Sequence, residues 1–508
     1  MQWFLTIIVF VLLFLIFKWK KVFRYWKDRD VEFVSPFRCF RAFTENILRL
    51  NSSSDVFRDV YYEFPNKRYV GSYNFFRPVL LIRDVELVKR ITVKDHAVFH
   101  SHSDIIPLEL DPMWSRNIVA LADRDVWKSK RGSLTPFFTI KQVKNLFSTL
   151  KQFSEKLVEH LIARSEGQAA VVEMREVCKR LSCDISNTYS FGVNSDSINN
   201  PDSEMYTMTD KAFMVPTLYG IRYYVDKLFP KLLKWTGVKV FSDEVRHFFT
   251  NIMKQSIKIR AESNFTGLDV INLLLELHKV EKSRADNLDS QVFEDIMAQA
   301  LILTFAGYDT VTSALSSLIY ELTVHPDIQK KLHEDILNTI ENFNGILNYD
   351  SVMAIEYLDN VIDEVMRMHP VTAIIDRQAT KDYVIEPKNP DEKTLLIEKG
   401  TPIWILHKAI QMDPNYFPNP TKFDPARFSK ENRKNIEPYS FIPFGSGPRM
   451  CLGSRLGLMK VKLVAIELLL NFELLPTKKT YVKDAYNTYN LRQHGVWVHL
   501  IPRKPHTT

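Results

Sequence analysis

From Phe293 to Thr323 the chain carries a helical pattern far longer than any other it contains, stopped at His325-Pro326. Ala, Leu and Ile lie all round this segment rather than along one stripe. A helix that is apolar on every face has to be surrounded, so the pattern predicts a helix crossing the middle of a large core. Partners for it are readable. Leu146, Leu150, Phe153, Leu157 and Leu161 recur at helical spacing. Tyr357 to Met368 reads as a helix ending before Pro370, and Leu456 to Leu470 as another that opens after a glycine-rich loop. Strand signals are few. Tyr69 to Ile82 predicts two short strands broken at Arg77-Pro78, and further short strands are expected near Thr401–Leu406 and Val496–Ile501. The expected fold is mainly α with a minor β-sheet region. A chain of 508 residues has room for several domains, but no internal repeat or low-complexity block follows residue 30, so one large domain is expected.

Composition narrows the function classes. Hydrophobic residues at 45% and charged residues at 25% exclude wholesale disorder. The four cysteines, Cys39, Cys178, Cys183 and Cys451, are too few for a disulfide scaffold and match no Cys-x-x-Cys zinc spacing. They point to a reducing compartment. A net charge of +7 from 67 basic and 60 acidic residues is too mild and diffuse to argue for nucleic acid.

The N-terminus reads as a membrane anchor. Met1 to Phe17 carries no charged side chain, and seventeen helical residues span about 25 Å, the lower limit for a bilayer. Lys18, Lys20, Lys21, Arg24 and Lys27 follow, interleaved with Trp19, Phe23, Tyr25 and Trp26. This predicts a positive-inside flank with an aromatic belt, and a chain that continues on the cytosolic face. A cleaved signal peptide fits less well, because a basic n-region and a small-residue cleavage site are both missing. The expected division is an anchor over 1–17, a flank and short hinge over 18–36 with a single Pro36, and a catalytic domain over 37–508. The sequons at Asn51 and Asn264 are read as chance on a cytosolic domain.

The strongest chemical signal is Phe444-Gly-Ser-Gly-Pro-Arg-Met-Cys451-Leu-Gly453. A cysteine just before a helix N-terminus can be held as thiolate by the helix dipole and free backbone N–H groups. Gly447 and Gly453 permit close approach of the backbone to a flat ligand. Phe444 can shield the sulfur, and Arg449 offers a fork for a carboxylate. A lone buried cysteine is otherwise an inert core residue. The whole pattern resembles the haem-binding loop of the cytochrome P450 family.

That resemblance, which extends over nearly the whole chain, implies roles for further motifs. Cys451 becomes the proximal thiolate ligand of haem b. Glu364-Val-Met-Arg367 and Arg427, within Phe423-Asp-Pro-Ala-Arg-Phe428, become a charged network bracing the haem loop. Ala426 stands there where the family often has glutamate. Ala306-Gly307-Tyr-Asp309-Thr310 on the central helix becomes the dioxygen groove, with Thr310 and Asp309 relaying protons. Read alone, Gly307 and Thr310 are equally a packing glycine and a back-bonded threonine. Trp127, Arg131, Arg377 and Arg449 become partners of the haem propionates. Phe191 to Ser203 and Asp413 to Pro420 look like the animal microsomal branch, insect members in particular.

The implied activity is insertion of one oxygen atom from O2 into an apolar small molecule. Electrons would come from an NADPH-dependent flavoprotein reductase, with cytochrome b5 as a second donor, at the endoplasmic reticulum membrane. An oxygen-independent isomerase or dehydratase on the same fold is the alternative within enzymes, and a non-catalytic haem sensor or carrier the alternative outside them. Thr310 and Asp309 speak against both. By the same analogy the pocket walls would come from His100–Val119, Met205–Ile221, Val371–Asp376 and the region near Tyr489. Phe213, Tyr219 and Tyr223 there are pocket or core. Lys128, Lys130, Lys460 and Lys462 are expected to form a basic docking face for the reductase.

Overall fold

A computed structural model describes residues 20, 22–47, 53–74, 77–103, 111–213, 239–263, 267–278, 289–481 and 488–504. The 1–17 segment, Asn51, Tyr219, Tyr223 and Asn264 lie outside these residues. Among the described residues no helix is long and apolar enough to cross a membrane.

The principal helices are α1 (Arg124–Leu134), α2 (Ile140–Arg164), α3 (Met174–Phe191), α4 (Asp243–Ser263), α5 (Ser290–Val324), α6 (Pro326–Asn342), α7 (Glu356–Met368), α8 (Ser454–Asn471) and α9 (Thr488–His494). The long central pattern is α5, which begins where the Asp289 carboxylate caps the N–H groups of Gln291 and Val292. It ends at Val324, with His325 as C-cap just before Pro326. Its buried residues occupy every face from Ile296 to Thr323, as a helix apolar all round requires. α3 and α8 pack along it. The predicted stripe of α2, Leu146 to Leu161, is buried throughout.

Strands are β1 (Tyr69–Asn74), β2 (Arg77–Ile82), β3 (Ala170–Glu173), β4 (Ile375–Gln378), β5 (Tyr383–Ile385), β6 (Leu395–Ile397), β7 (Pro402–Ile405), β8 (Phe472–Pro476) and β9 (Trp497–Pro502). They form a four-stranded sheet in the order β1-β2-β7-β4, a three-stranded sheet β3-β9-β8 and the pair β5-β6. Only β2 and β7 run parallel. The expected break at Arg77-Pro78 is displaced: β2 starts at Arg77, and Pro78 pairs with Tyr73 in the β1 ladder.

The aromatic belt expected before Pro36 is also corrected. Trp26 is fully buried and donates its indole N–H to the Ser72 carbonyl over 2.9 Å. Its ring fills the space where a side chain on Gly71 would stand, 2.5 Å from an ideal Cβ. Tyr25 packs edge-on against Trp26 and hydrogen-bonds Glu398, and Phe23 meets Tyr73. An indole with a sheet to bury itself against gains more there than at an interface. Pro36 opens a helix, Pro36–Ile47, rather than a hinge.

Candidate active site

Cys451 follows the short turn Gly447–Arg449 and precedes α8, whose N-cap is Gly453. Its N–H is held by the Phe444 carbonyl at 2.9 Å, which folds the loop back on itself. The side chain opens on an internal cavity of about 240 Å³. Phe444, Gly453 and Leu456 form the wall around the sulfur, and Ile302, Ala306, Gly307, Thr310 and Val311 of α5 contribute another. A smaller chamber of about 70 Å³ shares Thr310, Val311 and Phe444 and continues to Leu318, Val365 and Val371. A larger groove of about 600 Å³ between α4 and the start of α5 lies elsewhere and holds no thiol.

Burial raises the Cys451 thiol above its ordinary range, while the Gly453 backbone N–H and Arg131 pull the other way. The Gly453 N–H at the start of α8 thus acts in the expected direction, and burial opposes it. Cys39, Cys178 and Cys183 are buried with raised thiols, consistent with inert core residues.

Cations gather at the cavity. Trp127 and Arg131, four apart on α1, both line it, as does Arg449. The Arg449 guanidinium stacks 4.2 Å from the Trp127 ring and donates to the carbonyls of His100, Ile118 and Leu121. Arg131 donates to the Met450 carbonyl. Burial, with Arg377 and Arg131 nearby, pushes Arg449 down to about 9, against a weaker pull from Asp376. Arg377 is buried near Arg449, donates Nη1 to its neighbour's carbonyl at Asp376, and among the described residues leaves Nη2 without an acceptor. Arg377 and Arg449 thus share one nearby acid, Asp376, and that acid is already taken by His102, Ser103 N–H and the Ser103 hydroxyl. A dianionic ligand with a metal for the thiol fits this donor set.

The α5 residues divide. Ala306, Gly307 and Thr310 line the cavity. Asp309 does not share it, a correction with a simple cause: adjacent residues lie about 100° apart round a helix. Its carboxylate turns to Arg492 of α9 at 2.7 Å, with Arg175 at 3.9 Å. Thr310 donates to the Ala306 carbonyl at 2.5 Å. An ideal Cβ on Gly307 would stand 2.6 Å from the Ser186 hydroxyl of α3. The packing glycine and the back-bonded threonine are thus both present, on the wall of the cavity. Gly447 is also explained differently from expectation. With φ at +72° and an ideal Cβ 1.8 Å from the Thr92 carbonyl oxygen, it serves a backbone contact, whereas Gly453 does border the cavity.

The charged network is formed and buried. Arg367 grips Glu364 through Nε at 2.7 Å and Nη2 at 2.8 Å, both side chains being 0% exposed. Arg427 reaches the same carboxylate at 3.3 Å, and Asp424 N–H at 2.8 Å. Arg367 also donates to the carbonyls of Gln411 and Pro420. These bonds tie α7 to the segment that leads into the cysteine loop.

His102 lines the cavity from the expected His100–Val119 wall, whereas sequence reasoning missed Ser186, Tyr189 and the inward place of Lys460, which line it too. That reasoning placed Lys460 and Lys462 on a surface. Both are buried, Lys462 against Asp359 at 2.7 Å, because α8 lies inside the core. Lys130 is bound to Asp295, which leaves Lys128 exposed. Of the expected pocket segments, Ile118, Val119 and Val371 line the two chambers. Phe213 packs instead on Phe305 and Tyr308.

Comparison with known proteins then bears on the whole chain. The family model described as Cytochrome P450 matches residues 45–496. The chain belongs to the cytochrome P450 family. It is 32% identical to cytochrome P450 9e2 of Blattella germanica over 90% of each chain. It is 30% identical to cytochrome P450 9b2 of Drosophila melanogaster over 97% of each. Cytochrome P450 3A14 of Cavia porcellus is 34% identical over 81% of this chain and 80% of its own. Cytochromes P450 bind haem through an axial cysteine thiolate. The chain is a haem monooxygenase of the animal, insect-like part of the family.

Proposed function

We propose that this P450 oxidises an apolar small molecule with O2 at the membrane of the endoplasmic reticulum, held there by residues 1–17 and supplied with electrons by an NADPH-dependent flavoprotein reductase. Cytochrome b5, a small haem protein, is a second one-electron donor. Cys451 is the axial ligand, and the observation that carries this reading is its thiol opening on a cavity faced by Ala306, Gly307 and Thr310 and flanked by guanidiniums. Trp127, Arg131, Arg449 and Arg377 hold the haem carboxylates. The bound haem supplies one-electron chemistry and a site for dioxygen.

The chain's own residues do the rest. The Phe444 carbonyl and Gly453 fix the sulfur at the cavity wall. Thr310 presents a hydroxyl whose proton is shared with Ala306, so it can pass a proton along the α5 groove without leaving its place. Leu318, Val365 and Val371 line the adjoining chamber, and an apolar chamber excludes water from the reacting end of a substrate. Exposed Lys128 on α1, the helix that also carries Trp127, is a candidate contact for the reductase.

Cys451→Ser tests the ligand. A hydroxyl is a far weaker donor than a thiolate, so the reduced carbonyl adduct is expected to lose its long-wavelength Soret band. A variant that keeps the band rules out Cys451.

A further inference from the structure

Lys460 is a charged group at this cavity for which the fold so far supplies no use. It lies on α8, nine positions after Cys451, and is 5% exposed. Its side chain lines the cavity. Among the described residues no hydrogen bond or ion pair is recorded for its amine. The nearest groups are the Tyr189 ring, 5.4 Å away, and the backbone of Gly307, from whose ideal Cβ Nζ would stand 3.4 Å. Two further polar atoms at the same wall lack partners: the Ser186 and Tyr189 hydroxyls of α3. An ammonium has three donors and no acceptor, and an isolated buried one is costly unless it is neutralised or offset by a negative charge.

The charged groups around it are accounted for. From α3 it faces Ser186 and Tyr189, a phenol whose proton is held well above its ordinary range by burial. From α5 it faces the Gly307 backbone, since Asp309 is turned to Arg492. On α8 itself Lys462 is bound to Asp359, and Glu467 looks toward Lys151 and Glu155 of α2. Across the cavity are Cys451, Arg131, Arg449 and His102. Burial alone displaces the amine, to about 7; no described acid of α2, α6 or β8 contributes to it.

We propose that Lys460 is a proton-coupled charge partner of the redox group held in this cavity: an electron entering the cavity draws one proton from solvent onto the Lys460 amine. The inference rests on the reading that the cavity holds the haem. The balance is one electron from a one-electron donor and one proton, the proton forming an N–H bond at Nζ and converting amine to ammonium. Adding a negative charge in a low-dielectric enclosure favours the charged form of a nearby amine. The two equilibria are then linked, and each shifts the other by the same amount.

The test is potentiometric titration of the haem-loaded protein with dithionite from about pH 6 to about pH 8.5, without substrate or turnover. The wild-type potential is expected to fall with pH by up to about 59 mV per unit, the value for a tenfold change and one electron. Proton uptake on reduction, read with an indicator dye, should accompany it. Lys460→Met should give a lower, pH-independent potential, and Lys460→Arg a higher, pH-independent one. A flat wild-type potential overturns the proposal even if neither variant folds. So does a Lys460→Met protein that keeps the wild-type slope, which would place the proton elsewhere, at His102 for example. The reduced carbonyl spectrum keeps the two claims apart. Loss of the thiolate band in wild-type protein defeats the reading of the site, whereas an intact band with a flat potential defeats only the role of Lys460.

Discussion

Glycine 447 and glycine 307 look alike in the sequence and are held for different reasons. At 447 the obstacle is the Thr92 backbone, which cannot move aside, and φ is left-handed. Gly447→Ala is expected to combine a left-handed penalty of about 1–2 kcal/mol with overpacking of about 1–3 kcal/mol. A fall of about 3 kcal/mol in unfolding free energy by denaturant titration, with poor haem retention, is the outcome expected; a change under about 1 kcal/mol would show that the loop yields. At 307 the obstacle is a serine hydroxyl that can rotate, and alanine regains about 1 kcal/mol of helix propensity. Gly307→Ala should therefore leave stability nearly unchanged, as the same titration will show. Residue-type patterns found both glycines but not their neighbours. A helical glycine signals a close approach without naming Ser186, and a lysine in α8 reads as surface because lysine usually is.

At the scale of elements, α7 is pinned at its C-terminal end. Its last turns carry Glu364 and Arg367, which cluster with Arg427. Glu364→Ala leaves two guanidiniums facing a void, at a cost of about 3–5 kcal/mol for a buried pair. Little haem-loaded protein should accumulate, and a normal thermal transition would refute the bracing role. Just past its C-terminus, His369 donates to Glu321 of α5 at 2.5 Å, and His325 meets the same carboxylate at 3.2 Å. Burial would raise Glu321, but the two histidines override it and hold the carboxyl at about 2, against an ordinary 4.5. A depressed folded-state value means stability present above about pH 4.5 and lost as pH falls toward 2. At about 1.4 kcal/mol per unit the contribution is of order 3 kcal/mol. Glu321→Gln should flatten the fall in denaturation midpoint between about pH 5 and about pH 3; an unaltered acid profile would show that other carboxylates govern it. The sequence alone does not pair His369, because its partner lies 48 residues away.

For the whole molecule, periodicity was a good guide and boundaries were close. α5, α7 and α8 agree with their patterns to within a few residues, because an all-apolar or sharply amphipathic segment has one way to be buried. Cys451, Glu364 and Arg367 were legible because their spacing is local: a loop before a helix, and i,i+3 on one face. The partners of Asp309 and Lys462 were not legible because they come from distant segments, Arg492 of α9 and Asp359 of α7, and Lys460 because α8 lies inside the core. The flank before Pro36 misled for the same reason, since an amphipathic aromatic serves a lipid surface and a protein sheet equally well.

That flank sets where the chain can be shortened. The Trp26 ring is seated over Gly71 like a stopper in the β1-β2 sheet. A form beginning near residue 22 keeps the stopper in place. One cut a few residues later, still well before the first long helix, would expose the floor of the sheet to solvent.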